Sequence, residues 1–125
     1  MAPVIEALRA EGRVTVEALA YRQACALWTK RDLAHQKLTD NITPSEVERL
    51  LQSPDAALLL TGSSFDPSLE KRFIAAARES GLPSLTVLDF WSHYALRFSD
   101  ADGHLVYVPD RIAAMDKRAH AEMAA

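Results

Sequence analysis

At 125 residues, with 49% hydrophobic and 25% charged side chains, the chain has the length and balance of one globular domain with its own core, which excludes a disordered polymer. A formal charge of −3, with lysines and arginines scattered rather than clustered, excludes a general nucleic-acid or anionic-membrane binder, since these carry a basic stripe. The single cysteine, Cys25, excludes an internal disulfide and a Cys-rich metal cluster.

The N-terminal run MAPVIEALRAEGR lacks the apolar core of a secretory signal. No run approaches the roughly 18 apolar residues of a membrane span. A soluble, cytoplasmic protein is expected. Residues 3–11, with Val4, Ile5 and Leu8 apolar, form a short amphipathic helix that Gly12 can end. Val14 and Val16 alternate within 13–19, which reads as a short strand. Residues 21–31 read as helix, with Ala24, Cys25 and Trp28 on one face; Cys25 there is a small buried apolar residue rather than a nucleophile. A short strand over 35–38 follows.

Thr43-Pro44-Ser45-Glu46 is a helix start, with Thr43 as cap, Pro44 at the first position and Glu46 completing a capping box. Val47, Leu50 and Leu51 form its buried side. The clearest strand spans 55–61, where five successive apolar residues predict a central parallel strand covered on both faces. Gly62, Ser63, Ser64 and Phe65 turn the chain, and Asp66 caps a helix with Pro67 at its first position. That helix buries Leu69, Phe73, Ile74 and Ala77 and stops at Gly81. Residues 84–88 form a second buried strand that finishes at Asp89. Asp102-Gly103 turns a hairpin between 96–98 and 104–108. A last strand covers 111–115, and Asp116 caps a terminal helix from Lys117.

Strands separated by helices of about a dozen residues predict βαβ units and a parallel sheet. The expected fold is α/β: one domain over 1–125, Rossmann-like and doubly wound, with a mostly parallel sheet in three αβα layers. The usual first strand is missing, and both ends look cut from something longer. In such sheets ligands sit beyond the carboxyl ends of the strands, which here gathers the loops 61–66, 89–94 and 116–118.

Two stretches are candidate sites. Thr61, Gly62, Ser63 and Ser64 lie between a strand and a helix, where backbone N–H groups and small hydroxyls can hold an anion. The spacing matches neither the dinucleotide fingerprint nor a P-loop, and Asp66 competes for the same N–H groups, so a plain turn is the preferred reading. The second stretch is LDFWSHYALRF, residues 88–98. A helix over 90–98 would align Phe90, Tyr94 and Arg97 and place His93 four residues from Arg97. Asp89 can accept hydrogen bonds from a ligand hydroxyl or act as a base, and His93 can titrate near neutrality; capping a turn is the equal alternative. Trp91, Tyr94 and Arg97 are ligand-contacting candidates, with core packing preferred for the aromatics Trp91, Tyr94 and Phe98. Asp100, Asp102 and Gly103 resemble part of a calcium loop without its further ligands and read as a turn. No metal or cofactor is expected.

In order and style the chain resembles the N-terminal Rossmann-like half of GT-B-type glycosyltransferases. PVIEALRAEG is similar to the first helix, RVTVEALAYRQACALW to the second strand and helix, and SPDAALLLTGSS to the step that reaches the acceptor side of the cleft. GLPSLTVLDFW looks like the next strand, and PDRIAAMDKRAHAEM like the strand and helix before the crossing to the second domain. The resemblance covers nearly the whole chain and carries no diagnostic motif. The family's glycine loop after strand one, and the C-terminal domain that binds most of the sugar nucleotide, have no counterpart in these residues. The resemblance implies an acceptor-side domain in carbohydrate biosynthesis that is not catalytically complete alone. Gly62, Ser63, Asp89 and His93 would face the acceptor, Asp89 orienting or deprotonating its hydroxyl with help from His93. A sugar or sugar-nucleotide ligand is implied. The rival is a non-enzymatic flavodoxin-like module that binds a nucleotide or a partner. If no strand fills the centre of the sheet, apolar edges are exposed, and a protein partner or a second copy is expected to cover them. No nucleic acid and no membrane span are expected.

Overall fold

The computed structural model describes residues 1–64 and 68–124. The chain is mixed α/β, with six helices and two small parallel sheets among the described residues. It divides into two compact units, Met1–Ile42 and Thr43–Ala125.

In the first unit, α1 (Ala2–Glu11) begins with Pro3 in its first turn and ends at Gly12, whose N–H donates to the Leu8 carbonyl at 3.2 Å and whose φ of 74° turns the chain out of the helix. Its Ala2 and Ile5 are buried with Ala18 and Leu33, and Met1, Val16 and Trp28 pack against that cluster. Strand β1 (Leu19–Ala20) pairs in parallel with β2 (Gln36–Lys37) across α2 (Gln23–Lys30). Cys25 is a half-buried thiol on α2. The strand expected over 13–19 lies further along the chain. Val14 is exposed, and the Val16 carbonyl accepts from the Arg9 guanidinium rather than from a neighbouring strand. Pairing begins only where the Ala18 carbonyl meets the Gln36 N–H at 2.8 Å, and the partner segment is too short to prolong the ladder.

The second unit opens with α3 (Pro44–Leu51). The Thr43 hydroxyl accepts the Glu46 N–H at 3.2 Å, a cap that contributes about 1 kcal/mol. Strands β3 (Leu59–Thr61), β4 (Ser84–Val87) and β5 (Arg111–Ala113) form a parallel sheet in the order β3-β4-β5. The 55–61 stretch was expected at the centre of its sheet; β4 holds that place, and β3 is an edge. Residues 55–58 stay outside the ladder and Leu58 is exposed, because Leu59 pairs with Ser84 and the residue before Ser84 is Pro83. Proline has no N–H to donate, so the pairing stops there. Inside the sheet the Thr61 and Thr86 hydroxyls bond at 2.7 Å. At its amino end Asp110 accepts the Ser84 N–H at 2.8 Å, while the Ser84 hydroxyl accepts the Asp110 N–H at 3.2 Å.

Helix α4 (Leu69–Ser80) packs on α3, β3 and β4, buries Leu69, Phe73, Ile74 and Ala77, and ends at Gly81 with φ 76°. The Asp66 cap and Pro67 start lie outside the described residues. The helix expected over 90–98 shrinks to α5 (Tyr94–Arg97). His93 sits in the left-handed region at φ 57°, which no right-handed helix can contain, so 90–93 cannot join it. The 96–108 hairpin reduces to one antiparallel bridge, Ser99 to Leu105. Its tip is the expected turn: Asp100 Oδ1 accepts the N–H groups of Asp102 and His104 at 3.0 and 2.9 Å. The last strand stops at Ala113, and α6 (Lys117–Ala124) follows, with the Ala119 N–H on Asp116 Oδ1 at 2.8 Å. No described helix is long and apolar enough to cross a membrane.

Candidate functional site

Three parallel strands end on one side of their sheet, and the segments leaving β3, β4 and β5 meet there. Arg97 on α5 joins the first two. Its side chain is only 6% exposed. Nε donates to the Ser92 carbonyl at 3.0 Å, and Nη1 donates to the Ser63 hydroxyl at 2.9 Å and its carbonyl at 3.4 Å. Asp89, the residue just past Leu88, holds a carboxylate oxygen 3.9 Å from Nη1 and is 77% exposed. The Phe90 ring centroid lies 5.8 Å from the guanidinium carbon.

The second and third segments are joined by Trp91, whose indole N–H donates to Asp116 Oδ2 at 3.0 Å. Trp91 is 50% exposed, so the core-packing expectation fails for it; Phe98 does pack inside, and Tyr94 is half-buried. The reason is the shortened helix: with 90–93 outside α5, Trp91 follows the loop instead of a helical face. Tyr94 donates its hydroxyl to Glu122 at 3.0 Å. Burial and that acceptor raise the phenol above its ordinary value, while Arg118 and then Tyr94 hold Glu122 below its own.

Asp116 is held below the ordinary carboxyl range by the Ala119 N–H first and the Trp91 indole next. A depressed carboxyl adds stability above its unfolded value of about 4, and that stability disappears as pH falls through the lower folded value. In a Trp28→Phe background, Trp91 emission should therefore change in acid below about pH 4, and Asp116→Asn should show the acid-like emission at neutral pH. Emission unchanged in both would mean that the tether does not hold the indole.

Of the residues named from sequence, the structure brings Ser63, Asp89 and Arg97 together. Thr61 is buried with its hydroxyl engaged by Thr86, and a methyl built at Gly62 would meet nothing within 4 Å. His93 is exposed, with Nδ1 2.8 Å from the Ser92 hydroxyl, and its backbone carbonyl accepts the Arg97 N–H at 3.1 Å. The Ser64 hydroxyl, beside Ser63, and the Ser68 hydroxyl, at the start of α4, are sealed from solvent without a hydrogen-bond partner. Asp100, Asp102 and His104 offer three ligand atoms within 4.8 Å on their exposed turn, but Asp100 already serves two backbone N–H groups there.

Sequence reasoning missed two residues. Ser68 falls in the first turn of the helix expected from Pro67, where a serine ordinarily faces solvent. Lys71 is buried inside α4, with Nζ donating to the Leu96 and Ser99 carbonyls at 3.0 and 2.9 Å. No local signal marks it; only the segment folded over α4 makes it internal.

The arrangement can hold a polar, anionic molecule: a buried guanidinium, a solvated carboxylate beside it, and two exposed aromatic rings. Compared with known proteins, the chain matches no family model, no curated protein and no solved structure.

Proposed function

We propose that this chain carries a GT-B-like, Rossmann-type domain that binds a sugar or sugar-nucleotide at the carboxyl ends of β3, β4 and β5. In this reading the sheet is part of a doubly wound, three-layer domain, and the site is the acceptor side of a glycosyl-transfer cleft. The observation that carries it is the convergence of Ser63, Asp89 and Arg97 beyond parallel strands, where open α/β sheets keep their ligands. Asp89 accepts a ligand hydroxyl, Trp91 and Phe90 cover an apolar face of the ligand, and His93 borders the opening. A wall this open orients a ligand but does not exclude water, so transfer itself needs a second wall.

Melting of the full chain with a panel of sugar nucleotides tests this. One of them at about 100 times its Kd should stabilise the fold by about 2.7 kcal/mol. Asp89→Ala should remove that shift without lowering the ligand-free melting temperature, because the carboxylate is mostly solvated. A panel that produces no shift, or a shift that survives in Asp89→Ala, overturns the reading.

A second reading is a non-enzymatic, flavodoxin-like module for a nucleotide or a protein partner. The exposed Leu105 and Val106, adjacent in the chain, favour it, since neighbouring apolar side chains left on a surface mark contact sites. Light scattering separates the two: a concentration-dependent mass supports a module that pairs, and a monomer at all concentrations counts against it.

A further inference from the structure

We infer that Arg97 is an anion subsite that takes a phosphoryl group of the ligand, with Asp89 occupying the neighbouring position in its absence. The inference rests on the reading that this edge of the sheet holds the ligand, and it names the chemical class that edge selects.

Charge balance is the first argument. Removing a guanidinium from water is costly by several kcal/mol unless it is paired and hydrogen-bonded. Arg97 is almost wholly buried, yet its hydrogen-bond acceptors among the described residues are all neutral: the Ser92 carbonyl and the carbonyl and hydroxyl of Ser63. Its carboxylate neighbour, Asp89, stands at 3.9 Å, beyond hydrogen-bonding distance, and faces solvent. The buried charge is thus only loosely compensated.

Donor geometry is the second. A guanidinium offers five N–H groups in a planar fork. Nε and Nη1 are engaged, whereas Nη2 makes no hydrogen bond to any described residue. Nη2 thus keeps N–H groups that no described residue accepts, and an oxyanion is the acceptor that arginine favours. The Ser64 hydroxyl, next in the chain to Ser63, is sealed from solvent without a partner, and natural folds rarely leave such a group unpaired.

The sign of Asp89 makes the proposal sharp. Toward a sugar hydroxyl, Asp89 helps. Toward a bare phosphate on Arg97, it competes and repels. Inorganic pyrophosphate, which has no sugar, isolates the second effect.

The experiment titrates pyrophosphate into the full chain by calorimetry at fixed ionic strength, with acetate as a carboxylate control. The wild type should bind pyrophosphate more tightly than acetate. Asp89→Asn should tighten pyrophosphate about fivefold, the effect of removing one like charge at roughly this distance in a solvated site. Arg97→Lys keeps the charge but loses the fork, and should weaken binding at least about tenfold. If Arg97→Lys fails to fold, the Asp89→Asn arm decides alone. Pyrophosphate binding that is unchanged or weaker in Asp89→Asn overturns the proposal, as does preference for acetate. Sugar-nucleotide binding that depends on Asp89 but persists in a folded Arg97→Lys overturns the phosphoryl subsite and leaves the carbohydrate reading standing. Pyrophosphate binding with the expected variant pattern, and no sugar-nucleotide response, supports the subsite and removes that reading.

Discussion

Phe73→Ala is expected to destabilise the Thr43–Ala125 unit by about 3–5 kcal/mol, the cost of emptying a filled aromatic position in a core. Phe73 is 5% exposed, and its helix neighbours Ile74 and Ala77 are buried with it where α4 meets α3, β3 and β4. Leu59, Leu60, Leu85 and Val87 on the strands are only half-buried, so the buried face of α4 supplies much of the seal over the sheet. The cavity therefore opens on the buried face of α4, the helix that packs on α3, β3 and β4. A domain has only about 5–15 kcal/mol of total stability, so the variant should approach the unfolding threshold. Urea unfolding followed by circular dichroism measures it, with Glu79→Ala on the exposed side of α4 as a control within about 0.5 kcal/mol of wild type. A Phe73→Ala midpoint equal to that of the control would mean that α4 is not the core helix of this unit.

The same helix shows what a sequence can reveal and what it cannot. Its buried stripe is local information: Leu69, Phe73, Ile74 and Ala77 recur at helical spacing, and Gly81 supplies the left-handed stop. The Thr43 and Asp116 caps are equally local, each a side chain three residues from the N–H it accepts. Strand order is different. Five apolar residues in a row at 56–60 look like a central strand, yet β4, flanked by β3 and β5, holds the centre, and Pro83 stops the β3–β4 ladder at Leu59. That outcome depends on a residue more than twenty positions away. The run of aromatics after Asp89 misleads for a third reason. Its spacing permits a helix, but Arg97 reaches back to the Ser92 carbonyl and His93 takes a left-handed backbone, so the chain becomes a loop with a single turn of helix.

The candidate site was legible in position more than in composition. Parallel strands joined by helices direct their exits to one side, and that alone placed Ser63, Asp89 and Asp116 on neighbouring loops. The inward turn of Arg97 was not legible, because an arginine four residues after a histidine on a helix would ordinarily be solvated. What internalises it is the Ser92 carbonyl and the Ser63 hydroxyl, two groups from different loops. The residue that ties the site together is thus defined only once both loops are in place.

Lys71 is the support for that arrangement, and its variants should separate stem from charge. Its ammonium holds the Leu96 and Ser99 carbonyls, which flank Arg97 in the chain, and stands 5.9 Å from the Tyr107 ring centroid. A hydrogen bond from a charged group contributes about 1.5–3 kcal/mol, so Lys71→Met, which keeps the aliphatic stem, should cost about 2 kcal/mol. Lys71→Ala also removes buried methylenes at about 0.8 kcal/mol each, and should cost on the order of 4 kcal/mol. Because the lost bonds anchor α5, the damage should be uneven. Amide exchange at Arg97, Phe98 and Ser99 should accelerate in Lys71→Met more than exchange within β4, and pyrophosphate affinity should fall with it. Uniform acceleration would instead make Lys71 a general core residue. A Met variant as stable as wild type would show that the two carbonyls find other donors once the ammonium is gone, and the bracket under Arg97 would then have to be built from Ser92 and Ser63 alone.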